Sequence, residues 1–531
     1  MLAEALLDVI VISRHLTLQR LAHRAVFVCS LPLASMFAGL PPSSSELTER
    51  KSVVPSSPPA DRRREHRESA ADALRIRALP ANKQRRRRNP ALDSRTAHSR
   101  TRAELIMLLS DLSHDELAAL HEEQTKAYDV LLTKGLKLDL TRGKPSAAQL
   151  DLSNELLTRP GEDNYMDSTG TDCRNYGGTQ GLPAIRTIFA PLLNVPVDQL
   201  VAGDNSSLSI MHDTLVYALL KGTVDSAEPW SKAPIKFLCP VPGYDRHFAL
   251  CEQFGIEMIS VPLSQNGPDF DGVRQLVAND PSIKGMWIVP TYSNPTGAIY
   301  TEEVTRALLE MPAAGDFRMF WDNAYAVHHL TDVETPALDV LAMAAQASHP
   351  NRVFLFASTS KITFAGAGIS FFASSPSNVD WYLKHLSKRS IGPDKINHLR
   401  HALYLKGADG VTTLMRRHRE ILAPKFDQVT SILSKRLGDS QAATWTDPDG
   451  GYFISLDVAD GTATRVISLA KGAGIAMTGA GAAFPYGRDP RDRNIRIAPT
   501  FPSPEEVSAA IDGLATCVLL AATEKLLGEA D

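Results

Sequence analysis

From about residue 201 the chain repeats one pattern, a short and nearly continuous apolar run followed by a longer stretch with apolar residues at helical spacing. Ile235–Val241, Met258–Leu263, Met286–Pro290, Met319–Asp322, Val353–Ala357 and Ile369–Ala373 lack the in-out alternation of surface strands, which predicts strands buried on both faces. Such strands alternating with helices build a mostly parallel sheet in an α/β domain. Beyond about residue 395 the pattern changes. Longer helical stretches lead to Gly451-Tyr-Phe-Ile-Ser-Leu-Asp457 and Asn494-Ile-Arg-Ile-Ala498, predicting a smaller α+β domain.

The first hundred residues are built differently. Residues 1–102 hold 19 Lys/Arg against 9 Asp/Glu, a charge of +10, which leaves −14 for the rest of a chain whose total is −4. Residues 41–102 are rich in Pro, Ser and Arg and poor in aromatics, so they cannot bury enough apolar surface to offset their ordering entropy. We expect 1–106 to be a disordered basic extension, or to lie upstream of a true start at Met107. Arg62–Arg64 and Arg85–Arg88 could hold nucleic acid, yet no aromatic interleaving, zinc spacing or helix-turn-helix pattern accompanies them, and a solvated tail is the expectation. Order is predicted to begin at Ser113-His-Asp-Glu116, a capping box opening a helix with Leu117, Leu120, Gln124, Tyr128, Leu131 and Leu132 along it. Residues 107–150 are then a helix and arm of the small domain, 151–394 the large domain, and 395–531 the C-terminal small domain. The five cysteines are odd in number and show no metal-like spacing, so neither metal nor disulfide is expected and a reducing, cytoplasmic setting is. No apolar run after residue 102 reaches the roughly 18 residues of a membrane span.

Three short segments could carry chemistry. Ala357-Ser-Thr-Ser-Lys361 places a lysine at a strand end, where a ligand can be met and where a covalent imine would relieve a buried charge. Phe320-Trp-Asp322-Asn-Ala-Tyr325 ends another strand in a carboxylate with a tyrosine three residues on, and Asn294-Pro-Thr-Gly297 fixes an amide in a turn. Each alone has a plainer explanation: an exposed lysine, a helix-capping aspartate, a bare turn. Together, in this order and spacing, they resemble the fold-type I pyridoxal-phosphate aminotransferases. Leu138–Ser146, Asn175–Gly181 and Ser358–Gly368 are most similar to the divergent bacterial aspartate aminotransferases of subgroup Ic, and the likeness runs from about Leu112 to the C-terminus.

The resemblance implies the PLP-transferase fold type I, with a mostly parallel seven-stranded sheet in the large domain. It implies pyridoxal 5′-phosphate (PLP) as cofactor, carried by Lys361 as a Schiff base, with Asp322 at the pyridine nitrogen and Tyr325 and Asn294 at the phenolic oxygen. Tyr244 of Pro242-Gly-Tyr244 would stack on the ring, and His247 would support Asp322. The phosphate falls to Ser206, Ser207 and Leu208 at a helix N-terminus, or that Ser-rich turn is only a cap. Relatives have a phosphate-clamping arginine soon after the lysine; here Gly366-Ala-Gly-Ile-Ser370 stands there, so Ser358 and Ser360 are expected to share that work. Tyr176 in Asn175-Tyr-Gly-Gly-Thr-Gln-Gly181 would reach the phosphate of a second subunit, making a homodimer. Arg496, an arginine within a short apolar strand, needs an anion; the family gives it the substrate α-carboxylate, a structural ion pair being the alternative. Gly143, with Arg142 and Lys144 beside it, would close over substrate and offer a cation to a distal carboxylate, or both cations are solvated turn residues.

The activity implied is a ping-pong transfer of the α-amino group of an amino acid, aspartate above all, to 2-oxoglutarate. A β-lyase, an aromatic or alanine aminotransferase, and a PLP-sensing DNA-binding regulator are the alternatives. The last requires a DNA-reading domain for which the N-terminal region lacks the apolar periodicity.

Overall fold

The computed structural model describes residues 108–529, so the expectations for residues 1–106 and Met107 lie outside the described residues. Helix α1 (His114–Thr133) opens with the predicted capping box: Ser113 accepts from the Glu116 backbone N–H, and the Glu116 carboxylate accepts from Ser113 N–H at 2.9 Å. Leu117, Gln124 and Leu131 are its buried stripe, whereas Leu132, one position off the stripe, is exposed.

The central sheet is formed by β1 (Leu200–Ala202), β2 (Lys236–Val241), β3 (Glu257–Ser264), β4 (Gly267–Pro268), β5 (Ile283–Ile288), β6 (Arg318–Asp322), β7 (Val353–Ser358) and β8 (Ser370–Ala373). Their order is β1-β8-β7-β6-β5-β2-β3-β4. It has eight strands where seven are expected, the extra one being the two-residue β4, which folds back antiparallel on β3. From β7 to β3 every pairing is parallel, and β8 runs against both of its neighbours. All five residues of β6 are buried, as a sheet covered on both faces requires. The strand expected at Met286–Pro290 instead ends at Ile288 and starts earlier, at Ile283; Pro290 has no N–H to give a ladder. The three-residue β1 was not predicted, being too short to show a pattern.

Beyond the sheet, β9 (Ala443–Trp445), β10 (Ile454–Val458) and β11 (Asn494–Ile497) form an antiparallel sheet in the order β9-β10-β11. Leu138–Asp139 also pairs in parallel with Ile475–Ala476, joining the segment after α1 to this part of the chain. Among the described residues one helix is long and apolar enough to cross a membrane, Pro504–Gly528, but it is mostly buried, with Ile511, Leu514, Ala515 and Val518 at 0–1% exposure in a shared core with Leu131 of α1. It serves as the core helix of the small sheet.

The parallel strands all end on one side of the sheet, and loops leaving those ends carry the candidate residues. Tyr244 follows β2, Asn294 follows β5, Asp322 closes β6, and Ser358 to Lys361 leave β7. In open α/β sheets this edge is where ligands bind.

Candidate active site

A cavity of about 170 Å³ lies at those strand ends. Its wall is formed by Ser206, Ser207, Leu208, Tyr244, Asn294, Asp322, Tyr325, Ser358, Ser360 and Lys361, together with Met211, Val289 and Ala324. Residues separated by up to 155 positions in sequence are thereby brought to one space, including both Lys361 and Asp322. A larger cavity of about 410 Å³ lies elsewhere, beside Arg416 and Arg419, and contains none of the predicted residues. Its two arginines are already paired, Arg416 with Glu334 at 2.8 Å and Arg419 with Asp332 at 2.9 Å.

Asp322 is 3% exposed. Its Oδ2 sits 3.0 Å from Nε2 of His247, while Oδ1 is buried with no partner. His247 is itself fixed: helix α3 (Asp245–Gln253) carries it inward, and its ring stacks on Trp287 of β5 with centroids 4.3 Å apart and planes 8° off parallel. Trp287 in turn donates from Nε1 to Cys251 Sγ at 3.2 Å. A buried carboxylate oxygen without a donor costs about 1–3 kcal/mol or more, and the cost is relieved when a ligand brings an N–H to it.

Lys361 is half-buried, with its Nζ 5.0 Å from the Tyr325 ring centroid and 5.9 Å from that of Tyr452. Burial pushes its ammonium below the ordinary lysine range, the Asp322 charge opposing this in part. A lysine so placed more readily presents a neutral, nucleophilic amine. Burial also raises the Tyr325 phenol well above its usual value, so it stays protonated and able to donate.

Helix α2 (Ser207–Lys221) points its N-terminus at the same cavity, and the Ser206 hydroxyl makes no capping bond to its own helix. Ser358 Oγ donates to Ser360 Oγ at 3.0 Å. The two loops are locked together where Asn205 Oδ1 accepts from Gly368 N–H at 2.9 Å. Four serines and a helix N-terminus bordering one cavity suit a dianion, which fits the lack of an arginine in Gly366–Ser370.

Arg496 is 8% exposed on β11. It donates to Asp245 Oδ1 at 2.8 Å, Asn294 Oδ1 at 3.4 Å and Thr478 Oγ1 at 3.3 Å, while Nε has no partner. The ion pair with Asp245 thus exists, and the guanidinium still touches the asparagine of the cavity wall. Its face lies on Phe453, 5.0 Å from the ring centroid, and Gly143 packs on the same ring: a Cβ there would come within 2.5 Å of it. Gly143 therefore borders the Arg496 site. Arg142 is exposed, and Lys144 holds its ammonium 3.9 Å above the Phe501 ring; neither lines the cavity. Tyr176 is likewise outside it and 82% exposed.

Sequence patterns did not single out Met211, Val289, Ala324 or Phe453. Met211 could have been found, standing one helical turn after Ser207 on the face that the phosphate expectation already defined. Phe453 becomes visible only once β10 and β11 are paired, with Ile454 opposite Ile497 and Ser455 opposite Arg496.

Residues 112–530 match the aspartate amino-transferase family. A Mycolicibacterium smegmatis protein named provisionally as an aminotransferase is 62% identical over 427 residues, 80% of this chain and all of its own length. The aspartate aminotransferase of Corynebacterium glutamicum is 53% identical over 418 residues, 78% of this chain and 96% of its own. The crystal structure of an aspartate transaminase from that organism superposes with a TM-score of 0.78 at 53% identity, covering 79% of this chain and 99% of that one. The chain belongs to the aspartate amino-transferase family and is an aminotransferase of fold type I.

Proposed function

We propose that the cavity binds pyridoxal 5′-phosphate and that the enzyme moves the α-amino group of aspartate to 2-oxoglutarate in two half-reactions at one site. The observation carrying this assignment is the unpaired Oδ1 of Asp322, a buried anion facing the space that Lys361 also lines. Bound there, the cofactor supplies an electron sink for the charge left when the substrate loses its α-proton. Asp322, oriented by His247, keeps the ring nitrogen protonated. Tyr325 and Asn294 hydrogen-bond the phenolic oxygen, Tyr244 packs on the ring face, and Ser206, Ser207, Ser358 and Ser360 hold the phosphate with the N–H groups of α2.

Lys361 would anchor the cofactor aldehyde, and its free amine would take the α-proton and deliver it again, work favoured by the burial that lowers its pKa from the ordinary lysine range. Arg496 binds the α-carboxylate as a two-pronged donor, exchanging part of its pairing with Asp245. Arg142 and Lys144 flank Gly143, which packs on Phe453 beside Arg496, so either would be near enough in the chain to offer a cation to the distal carboxylate of a dicarboxylic substrate. The enzyme is assigned as a homodimer in which Tyr176 completes the second copy's phosphate site. Among the described residues Cys173, Cys239, Cys251 and Cys517 are buried free thiols, which supports the reading of a reducing, cytoplasmic setting.

Purified enzyme is expected to show a visible cofactor band that aspartate bleaches and 2-oxoglutarate restores. Aspartate should outperform alanine and an aromatic amino acid. Release of pyruvate and ammonia without any oxo-acid acceptor would instead identify a lyase and overturn the assignment.

A further inference from the structure

Beside Lys361, among residues that do not line the cavity, the polypeptide is held by a buried polar cluster. Gln149, fully buried, belongs to the short helix Ala147–Asp151 that follows the Arg142-Gly143-Lys144 loop. Its side-chain amide nitrogen donates to His418 Nδ1 at 3.0 Å and to the Tyr452 hydroxyl at 2.9 Å, and its oxygen accepts from Ser146 N–H at 3.1 Å. His418 then donates from Nε2 to the Ile362 carbonyl at 3.0 Å, and the Tyr452 hydroxyl points at the Lys361 carbonyl at 3.5 Å. One amide therefore sets the two groups that hold the carbonyls of the lysine and of the residue after it.

We propose that Gln149 is a positioning residue for Lys361, acting through Tyr452 and His418, and that it ties the placement of the lysine to the Arg142–Lys144 loop. The proposal rests on Lys361 being the residue that bears the cofactor and moves the proton. A glutamine is suited to the place because it both donates and accepts: its oxygen closes a capping box with Ser146, and its NH₂ has two hydrogens for two acceptors. As Gln149 donates to His418 Nδ1, the ring's hydrogen is left on Nε2, where Ile362 needs it. Burial, which pushes the His418 pKa down to about 4, keeps that tautomer neutral at working pH. Tyr452 is also wedged between rings, with Tyr325 at 6.0 Å and His328 at 5.6 Å, so its hydroxyl has little freedom once Gln149 holds it.

Gln149→Met keeps the volume and removes the amide; Tyr452→Phe removes only the hydroxyl link. Both are to be compared with wild type as cofactor-loaded enzymes, reading kcat, KM for aspartate, and the pH midpoint at which the visible band titrates. The expectation is a fall in kcat of about tenfold or more for Gln149→Met, KM changed less than about twofold, and a midpoint displaced by about half a unit. Tyr452→Phe should move all three the same way, and the double variant should be no worse than the more affected single one, because the two act on one chain of bonds. Retention of wild-type kcat and midpoint by Gln149→Met, or effects of the two substitutions that multiply, would overturn the proposal. If Gln149→Met does not accumulate as folded protein, Tyr452→Phe decides, and a wild-type midpoint there is the contradicting result. A wild-type enzyme with no band sensitive to aspartate would instead defeat the assignment of Lys361 on which this one rests.

Discussion

His247 Nε2 and Asp322 Oδ2 lie 3.0 Å apart, both residues are at most 3% exposed, and the other carboxylate oxygen of Asp322 is left unpaired toward the cavity. One oxygen is thus spent on holding the side chain still, and the other is left free for a donor. Asp322→Asn removes the charge proposed to keep a ring nitrogen cationic, and kcat/KM for aspartate should fall by at least about a thousandfold, some 4 kcal/mol. His247→Leu keeps the charge but loosens it, and a fall of about ten- to a hundredfold is expected. Steady-state kinetics of the two variants check the ranking; equal losses would show that His247 does more than orient.

Arg496 is a buried cation that touches Asn294 of the cavity wall and has donor capacity left over. Arg496→Met should lower kcat/KM for every amino acid tested, by about 2–4 kcal/mol, because the α-carboxylate is common to all of them. A loss confined to aspartate would mean that Arg496 reads the distal carboxylate instead.

Much of this arrangement was legible beforehand, for a specific reason. Parallel strands buried on both faces cannot hide their apolar runs, and Asp322, Asn294 and Lys361 follow such runs at once, so strand ends and chemistry were visible together. Other features require the fold. Arg496 meets Asp245 from a strand 251 residues away, and no spacing in the sequence foretells that pairing. The loop cations show the opposite failing: Arg142 and Lys144 look equivalent in sequence, yet Lys144 is occupied with the face of Phe501 while the small residue between them makes the tight contact, with Phe453.

Tyr176 is presented to solvent by a loop that is otherwise tightly held. The 4% exposed Lys395 donates to the carbonyls of Asn175 at 2.5 Å and Gly177 at 2.9 Å, and at Gly392 a Cβ would meet the Gly177 oxygen at 2.4 Å. Such anchoring is wasted on a purely solvated ring. Tyr176→Phe is expected to weaken cofactor affinity by about tenfold, the value of one hydrogen bond to an anion. Equilibrium dialysis of the purified enzyme against PLP measures it, and unchanged affinity would count against the proposed place of Tyr176 in a phosphate site.

Acid should destabilise the fold over a defined window. His401 bonds Thr363 at 2.9 Å and Asn397 O at 2.8 Å, and burial pushes its pKa, like that of His418, down to about 4 from the ordinary 6.5. Between those values the unfolded chain binds protons that the folded chain refuses, so stability is fully present above about 6.5 and is lost as pH falls toward 4, on the order of 1–3 kcal/mol for each histidine. The melting temperature followed from pH 7 to pH 4.5 should drop more steeply for wild type than for His401→Gln; parallel curves would show that His401 does not contribute.

Covalent attachment at Lys361 underlies every functional assignment above, and reduction of the loaded enzyme with borohydride followed by peptide mass spectrometry tests it most directly. The account predicts a pyridoxyl-phosphate mass on the peptide containing Lys361, and none on the Lys361→Ala variant, which should also be inactive. The same mass on a different lysine, or catalysis surviving in Lys361→Ala, would contradict it.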